Sequence, residues 1–265
     1  MLELKHIKKC YHPGTVNEIR LFEDFSLTVR EGEFVTVVGS NGSGKTSLLN
    51  MICGSIDIDG GEILANGRDL ARQKDFYRHR KIGRVFQDPQ KGTCPSMTIL
   101  ENMSMADRKN KGYGLGRGTD KRKQEPYRRM LRELNLGLED KLHIQVGALS
   151  GGQRQALALL MATMTPIEFL ILDEHTAALD PKTADLVMEL TERLVKEKRV
   201  TTIMVTHNLK YAVEYGTRLL MMHQGQVILD KEGKEKAAVK AGELLSAFHG
   251  ISMEGNGHLM YSVTS

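Results

Sequence analysis

Gly39-Ser40-Asn41-Gly42-Ser43-Gly44-Lys45-Thr46-Ser47 lies between an apolar run, Phe34-Val35-Thr36-Val37-Val38, and the segment Leu48-Leu49-Asn50-Met51-Ile52. The run reads as a buried parallel strand and the segment as the first turns of a helix, and this nonapeptide acquires its chemistry only in such a context. Glycines at 39, 42 and 44 are expected to take positive φ, so that successive N–H groups point into one concavity at a helix N-terminus. Such a nest binds polyphosphate. Lys45 is placed to reach the β and γ phosphates, and the Thr46 hydroxyl to ligate the magnesium that accompanies them. An ordinary Gly/Ser-rich turn is the plainer reading; the full pattern, set between strand and helix, argues against it.

A chain of 265 residues can bury a full core and is read as one domain, with room for an inserted lobe. The 37 Lys+Arg against 33 Asp+Glu leave a formal charge of +4, too mild to argue for a nucleic-acid partner. Cys10, Cys53 and Cys94 are far apart without a Cys-x-x-Cys pair, so neither a disulfide framework nor a zinc site is indicated, and a reduced compartment fits. Strand-like alternation starts at once in Met1-Leu2-Glu3-Leu4-Lys5, and no apolar run approaches the length of a membrane span. The expectation is a soluble cytoplasmic chain; any work at a membrane needs a second polypeptide to span it.

Residues 1 to 33 alternate around turns at His12-Pro13-Gly14 and Glu31-Gly32, and Glu62-Ile63-Leu64-Ala65 before Asn66-Gly67 continues the pattern, which predicts an antiparallel sheet. Lys81 to Gln87 reads as a strand stopped by Asp88-Pro89. From there to about residue 165 helical signals dominate, at Thr98 to Met103, Tyr127 to Leu136 and Gly152 to Met164. Ile99, Leu100 and Met103 are read either as lobe core or as a partner-facing surface. The Lys/Arg/Gly-rich stretch Arg108 to Lys123 reads as a solvated loop or as a contact to acidic lipid or protein. Strands at Phe169 to Leu172 and Thr201 to Val205, with a helix from Pro181 to Lys196 between them, restore an α/β rhythm. Two further strands, Arg218 to Met222 and Gln226 to Leu229, precede a tail with one amphipathic stretch, Ala237 to Phe248.

A phosphate loop alone fits kinases, GTPases and many ATPases. Phe169-Leu170-Ile171-Leu172-Asp173-Glu174 adds a buried strand ending in two carboxylates, Asp173 placed to hold magnesium through its water shell and Glu174 to polarise an attacking water. Leu149-Ser150-Gly151-Gly152-Gln153 opens a helix with a hydroxyl and free N–H groups, a second anion site or else an ordinary N-cap. With this pentapeptide the sequence resembles the ATP-binding-cassette (ABC) superfamily, whose signature it matches, and the resemblance covers nearly the whole chain. It implies an α/β P-loop NTPase of ABC type: a mixed core sheet, an N-terminal antiparallel β subdomain and an inserted helical lobe. Residues 1–87 and 166–230 would form the catalytic core, 88–165 the signature lobe and 231–265 a short tail.

The resemblance also assigns weaker motifs. Gln87 matches the glutamine loop that senses magnesium and water, Asp180 lies in the loop that crosses between subunits, and His207 matches the switch histidine at the γ phosphate. Tyr11 resembles the aromatic that stacks on adenine, with a core tyrosine as the other reading. The family implies ATP and Mg2+ as cofactors, a homodimer or pseudo-symmetric dimer in which each phosphate loop faces the other copy's Ser150 and Gly152, an integral-membrane permease and an extracytoplasmic substrate-binding protein. Location would be peripheral on the inner face of the cell membrane. His175 stands where most cassettes have proline, and together with Arg84-Val85-Phe86-Gln87-Asp88-Pro89 it resembles a bacterial importer subgroup whose implied cargo is tryptophan, tyrosine or a related small solute. An exporter subunit, a soluble cassette acting on ribosomes or nucleic acid, and a small-molecule kinase are the rival readings.

Overall fold

The computed structural model describes residues 1–71, 73, 75–109 and 118–254. Alternating burial of Leu2, Leu4 and Ile7 sets the inner face of β1 (Leu2–Tyr11), which pairs antiparallel with β2 (Ile19–Val29) through Leu2↔Val29 and Leu4↔Leu27. Between them the strands β3 (Phe34–Gly39), β4 (Gly60–Ala65) and β5 (Arg68–Asp69) enter two different sheets. The smaller, in the order β2-β1-β4-β5, is antiparallel throughout. Its β4–β5 turn places both Asn66 (φ 49) and Gly67 (φ 75) in the left-handed region that a two-residue hairpin needs.

The larger sheet runs β10-β9-β3-β8-β7-β6, with β6 (Ile82–Val85), β7 (Phe169–Asp173), β8 (Thr201–Val205), β9 (Arg218–His223) and β10 (Gln226–Glu232). Its pairs are parallel except β9 with β10. Apolar side chains leave both faces of these strands. Ile171, Ile203 and Val205 join the core beneath the small sheet, together with Leu48 and Ile52 of α1 (Lys45–Cys53), while Leu170, Leu172 and Met204 face the opposite way. Burial on both faces is why these strands read as continuous apolar runs.

The second face is covered by α3 (Ile99–Asp107), α4 (Gln124–Arg132), α5 (Gly151–Thr163) and α6 (Pro181–Lys198), with α2 (Asp75–Lys81) lying beside β6. Ile99, Leu100 and Met103 are buried with Tyr127 and Leu131 in the cluster that includes Leu170 and Leu172, so they are lobe core and not a partner-facing surface. Thr98 and Glu101 form a capping box that starts α3.

Three expectations need correction. The helix α2 is additional to those read from the sequence. Helix α4 begins at Gln124, earlier than Tyr127, because Pro126 is tolerated in its first turn, and it ends at Arg132. The tail carries two helices, α8 (Gly233–Ala238) and α9 (Ala241–Glu254), in place of one stretch. Lys236 pins α8 by donating to the carbonyls of Val213, Tyr215 and Gly216, at the end of α7 (Leu209–Glu214), and the chain turns after it. Residues 110–117 of the basic loop lie outside the described residues.

Ile99→Ala should cost roughly 2–4 kcal/mol of stability in urea unfolding, the range for emptying a buried aliphatic site. A cost near zero would show that the lobe residues pack only against a partner.

Candidate functional site

The order of the parallel strands is the order of the site. From the carboxyl ends of adjacent β3, β8, β7 and β6 come, respectively, the 39–47 loop, His207, the pair Asp173-Glu174 and Gln87. Such strand ends are where open parallel sheets bind ligands.

In the loop, Gly42 (φ 77) and Gly44 (φ 102) are left-handed as expected. Gly39 is not. It is the last residue of β3, and its requirement is steric: a Cβ there would collide with Met222 O and come within 2.7 Å of Ser43 Oγ. Lys45 is buried and donates to Gly39 O at 2.8 Å, Ser40 O at 2.9 Å and Ser43 Oγ at 3.3 Å. Burial holds its ammonium below the ordinary lysine value, against the opposing pull of the Glu174 and Asp173 carboxylates. Asn41, Gly42 and Thr46 are exposed at the mouth of the nest. Tyr11, half-buried at the end of β1, donates its hydroxyl to Ser47 Oγ at 3.0 Å, which places it against the loop's helix and removes the core reading.

Glu174 and His207 meet: Glu174 Oε1 lies 2.7 Å from His207 Nε2. Glu174 is left-handed at φ 47, with its N–H bound to Val205 O, so the backbone turns sharply where the acid leaves β7. His175, next in sequence, is fully buried beside Thr191 Oγ1 at 3.1 Å, and burial pushes its imidazole down to about 4. Thr191 spends its own hydrogen on Val187 O, so it accepts from His175 Nε2–H, and the ring is a neutral tether from the acid's turn to α6. Gln87 is exposed two residues beyond β6, directly after Phe86, whose carbonyl accepts from the buried Gln155 of α5 at 3.0 Å.

Ser150, Gly151, Gly152 and Gln153 form a second cluster. Ser150 caps α5, its hydroxyl accepting from Gln153 N while Gln153 Oε1 accepts from Ser150 N. Within one chain the ordinary N-cap is therefore realised, at an exposed helix start. Asp180 likewise caps α6 through Thr183 N. The two helix starts touch: a Cβ on Gly152 would collide with Thr183 Cγ2, and one on Gly151 would meet Leu179 at 3.4 Å. Sequence reading passed over Thr183 and Gln155, and took Arg84 only as part of the stretch that resembles an importer subgroup, although it stands as a charge inside an apolar strand.

This fold and strand-end constellation define a phosphate-loop NTPase. The ABC transporter family profile matches residues 22–177. The tyrosine transport ATP-binding protein of Clostridioides difficile is 44% identical over 248 residues, 94% of this chain and 98% of that one. The phosphonates import ATP-binding protein of Lactococcus lactis is 30% identical, over 89% of this chain and 94% of that one. A dimeric ATP-binding cassette in a post-hydrolysis state with ADP and Pi aligns with a TM-score of 0.73 at 30% identity, over 88% of this chain and 98% of that one. The chain belongs to the ABC transporter family and is its ATP-binding, ATP-hydrolysing cassette.

Gly152→Ala should destabilise the α5–α6 contact by roughly 1–3 kcal/mol, and Thr183→Ala, which removes the obstructing methyl, should restore it. Thermal melts of both single variants and the double variant check this; a double variant no more stable than Gly152→Ala overturns the contact.

Proposed function

We propose that two copies of this cassette, or one copy and a closely similar partner, close head to tail around two ATP molecules and drive uptake of a small amino-acid-like solute through a separate membrane permease. The observation that carries the reading is the convergence of Lys45, His207, Asp173, Glu174 and Gln87 at adjacent strand ends, with Glu174 and His207 2.7 Å apart. Exposed helix starts at Ser150 and Asp180 support closure against another copy, and a similar cassette is dimeric with ADP and Pi.

The 42–46 N–H groups and Lys45 bind the phosphates, and Tyr11 supplies a face for adenine. Magnesium suits the donor set, since Thr46 and Asp173 offer hard oxygens. Nucleotide phosphates and water would complete its shell. Magnesium would supply charge neutralisation of the transferring phosphoryl group. Glu174 orients and polarises the attacking water, while His207 holds Glu174 and reaches toward the γ phosphate. Ser150 and Gly152 of the opposite copy aim a helix N-terminus at the same charge, and electrostatic aim of this kind is the main catalytic contribution in phosphoryl transfer.

No helix of the described residues is long and apolar enough to cross a membrane. In the proposed assembly a separate permease chain spans the membrane and this cassette sits on its inner face. The groove beside Gln87, lined by His79, Phe86, Ala106, Met161 and Ala162, with exposed Met105 nearby on α3, fits a permease segment. Import rests on the names of the relatives, and an aromatic amino-acid cargo on the tyrosine transport protein of C. difficile. An extracytoplasmic substrate-binding protein completes such an importer. Those names do not favour the exporter or ribosome-directed readings.

Glu174→Gln should lower ATP hydrolysis by about 10²–10⁴-fold while retaining Mg-ATP and accumulating dimer on size exclusion. Parental phosphate release from this variant removes Glu174 from its role. Tyr11→Ala should weaken nucleotide binding roughly tenfold, whereas Tyr11→Phe should bind as the parent does; equal affinities for all three would remove the adenine platform. Affinity capture from gently solubilised native membranes should bring down a polytopic permease. Ribosomal or nucleic-acid-bound partners in its place would overturn the transport reading and leave the ATP site intact.

A further inference from the structure

Arg84 is a cation in a strand whose other residues are Ile82, Gly83 and Val85. It is largely withdrawn from solvent: its side chain is 12% exposed, beside an Asp173 side chain that is 15% exposed. One terminal nitrogen donates to Asp173 Oδ2 at 3.0 Å and to Asn50 Oδ1 at 2.8 Å, and the guanidinium lies 4.5 Å from the centre of the Phe86 ring. The register Arg84↔Ile171 puts Arg84 and Asp173 on the same face of the sheet. Arg84 Nε is buried without a hydrogen-bond partner among the described residues.

Three parts of the site therefore meet at one guanidinium: the carboxylate of β7, the helix that begins with Lys45 and Thr46, and the residue before Gln87. A carboxylate paired with an arginine at hydrogen-bond distance has much of its charge already compensated. In a site largely withdrawn from water, that compensation changes its affinity for any further cation by a factor of ten or more.

We propose that Arg84 is a positioning residue that fixes the Asp173 carboxylate and weakens its hold on magnesium, so that the ion loads only when nucleotide phosphates add their own negative charge. The proposal rests on the reading of Asp173 as the metal-facing acid. Arg84 occupies one carboxylate oxygen and leaves the other for the ion or its water, while the bond to Asn50 and the stacking on Phe86 keep the guanidinium from swinging aside. The charge on Arg84 sets the affinity, and its planar fork sets the orientation.

The test titrates free Mg2+ against binding of a fluorescent ATP analogue to the full-length protein, with a parallel measurement in EDTA. The variants are Arg84→Met, Arg84→Lys and Asp173→Asn. Arg84→Met should lower the Mg2+ midpoint roughly tenfold and leave analogue affinity in EDTA within about threefold of the parent. Arg84→Lys, which keeps the charge, should hold the parental midpoint. If Arg84→Met does not fold, Arg84→Gln, uncharged but still able to donate to the carboxylate, takes its place with the same expected shift. A parental midpoint in the uncharged variants, together with a raised midpoint in Asp173→Asn, overturns the role of Arg84 and leaves Asp173 as the metal residue. An unchanged midpoint in Asp173→Asn removes the metal reading of Asp173 and the proposal with it.

Discussion

A buried ammonium holds the phosphate nest in shape. Lys45 is bound by two carbonyls and a hydroxyl of its own loop, so the loop's concavity is already formed around the positive charge that a polyphosphate will meet. That arrangement has a cost, since burial disfavours the charged amine, and the Glu174 and Asp173 carboxylates at the next strand ends offset only part of it. The loop and the acids are therefore electrostatically dependent on each other before any ligand arrives. Removing either acid leaves the lysine less compensated.

This dependence explains why strand order matters more than any single motif. Parallel strands present their carboxyl ends on one edge, so residues far apart in sequence, from Lys45 to His207, arrive side by side only if β3, β8, β7 and β6 are neighbours in that order. The double burial of these strands fixes their register, because a one-residue slip would exchange the faces on which Ile171 and Leu172 lie. Core packing thus sets the spacing of the site.

Much of this was legible in the sequence, and the failures share a cause. The strands, the phosphate loop and the carboxylate pair follow from apolar patterning and from glycine and acid placement, whereas the signature was assigned by family resemblance. Helix α2 escaped the sequence reading, and among its described side chains the buried one is an arginine: Arg78 reaches Met51 O and Ala71 O and packs over Gly54 at the end of α1. Hydrophobic periodicity cannot register a helix anchored by a charge. Gly39 was misread for the related reason that a glycine required by a neighbour's backbone looks, in sequence, like one required by a turn. The Glu174–His207 contact was also missed, since both residues had been read toward the nucleotide, and only the adjacency of β7 and β8 brings them together.

Helix α5 makes the arrangement mechanical. Its start is pressed against the start of α6, where only Gly152 leaves room for Thr183, and one turn further on Gln155 holds the carbonyl of Phe86, immediately before Gln87. A rigid helix between these two attachments cannot let Gln87 and the Ser150 cap move independently. Displacement of the segment after Phe86 must tilt α5, and a tilt of α5 must either carry α6 and Asp180 with it or break a contact that has no slack. Close packing without voids makes such junctions switch between discrete arrangements and not deform gradually. In the proposed closed pair, α5 of each copy links the segment after Phe86 to its own Ser150 cap and to Asp180.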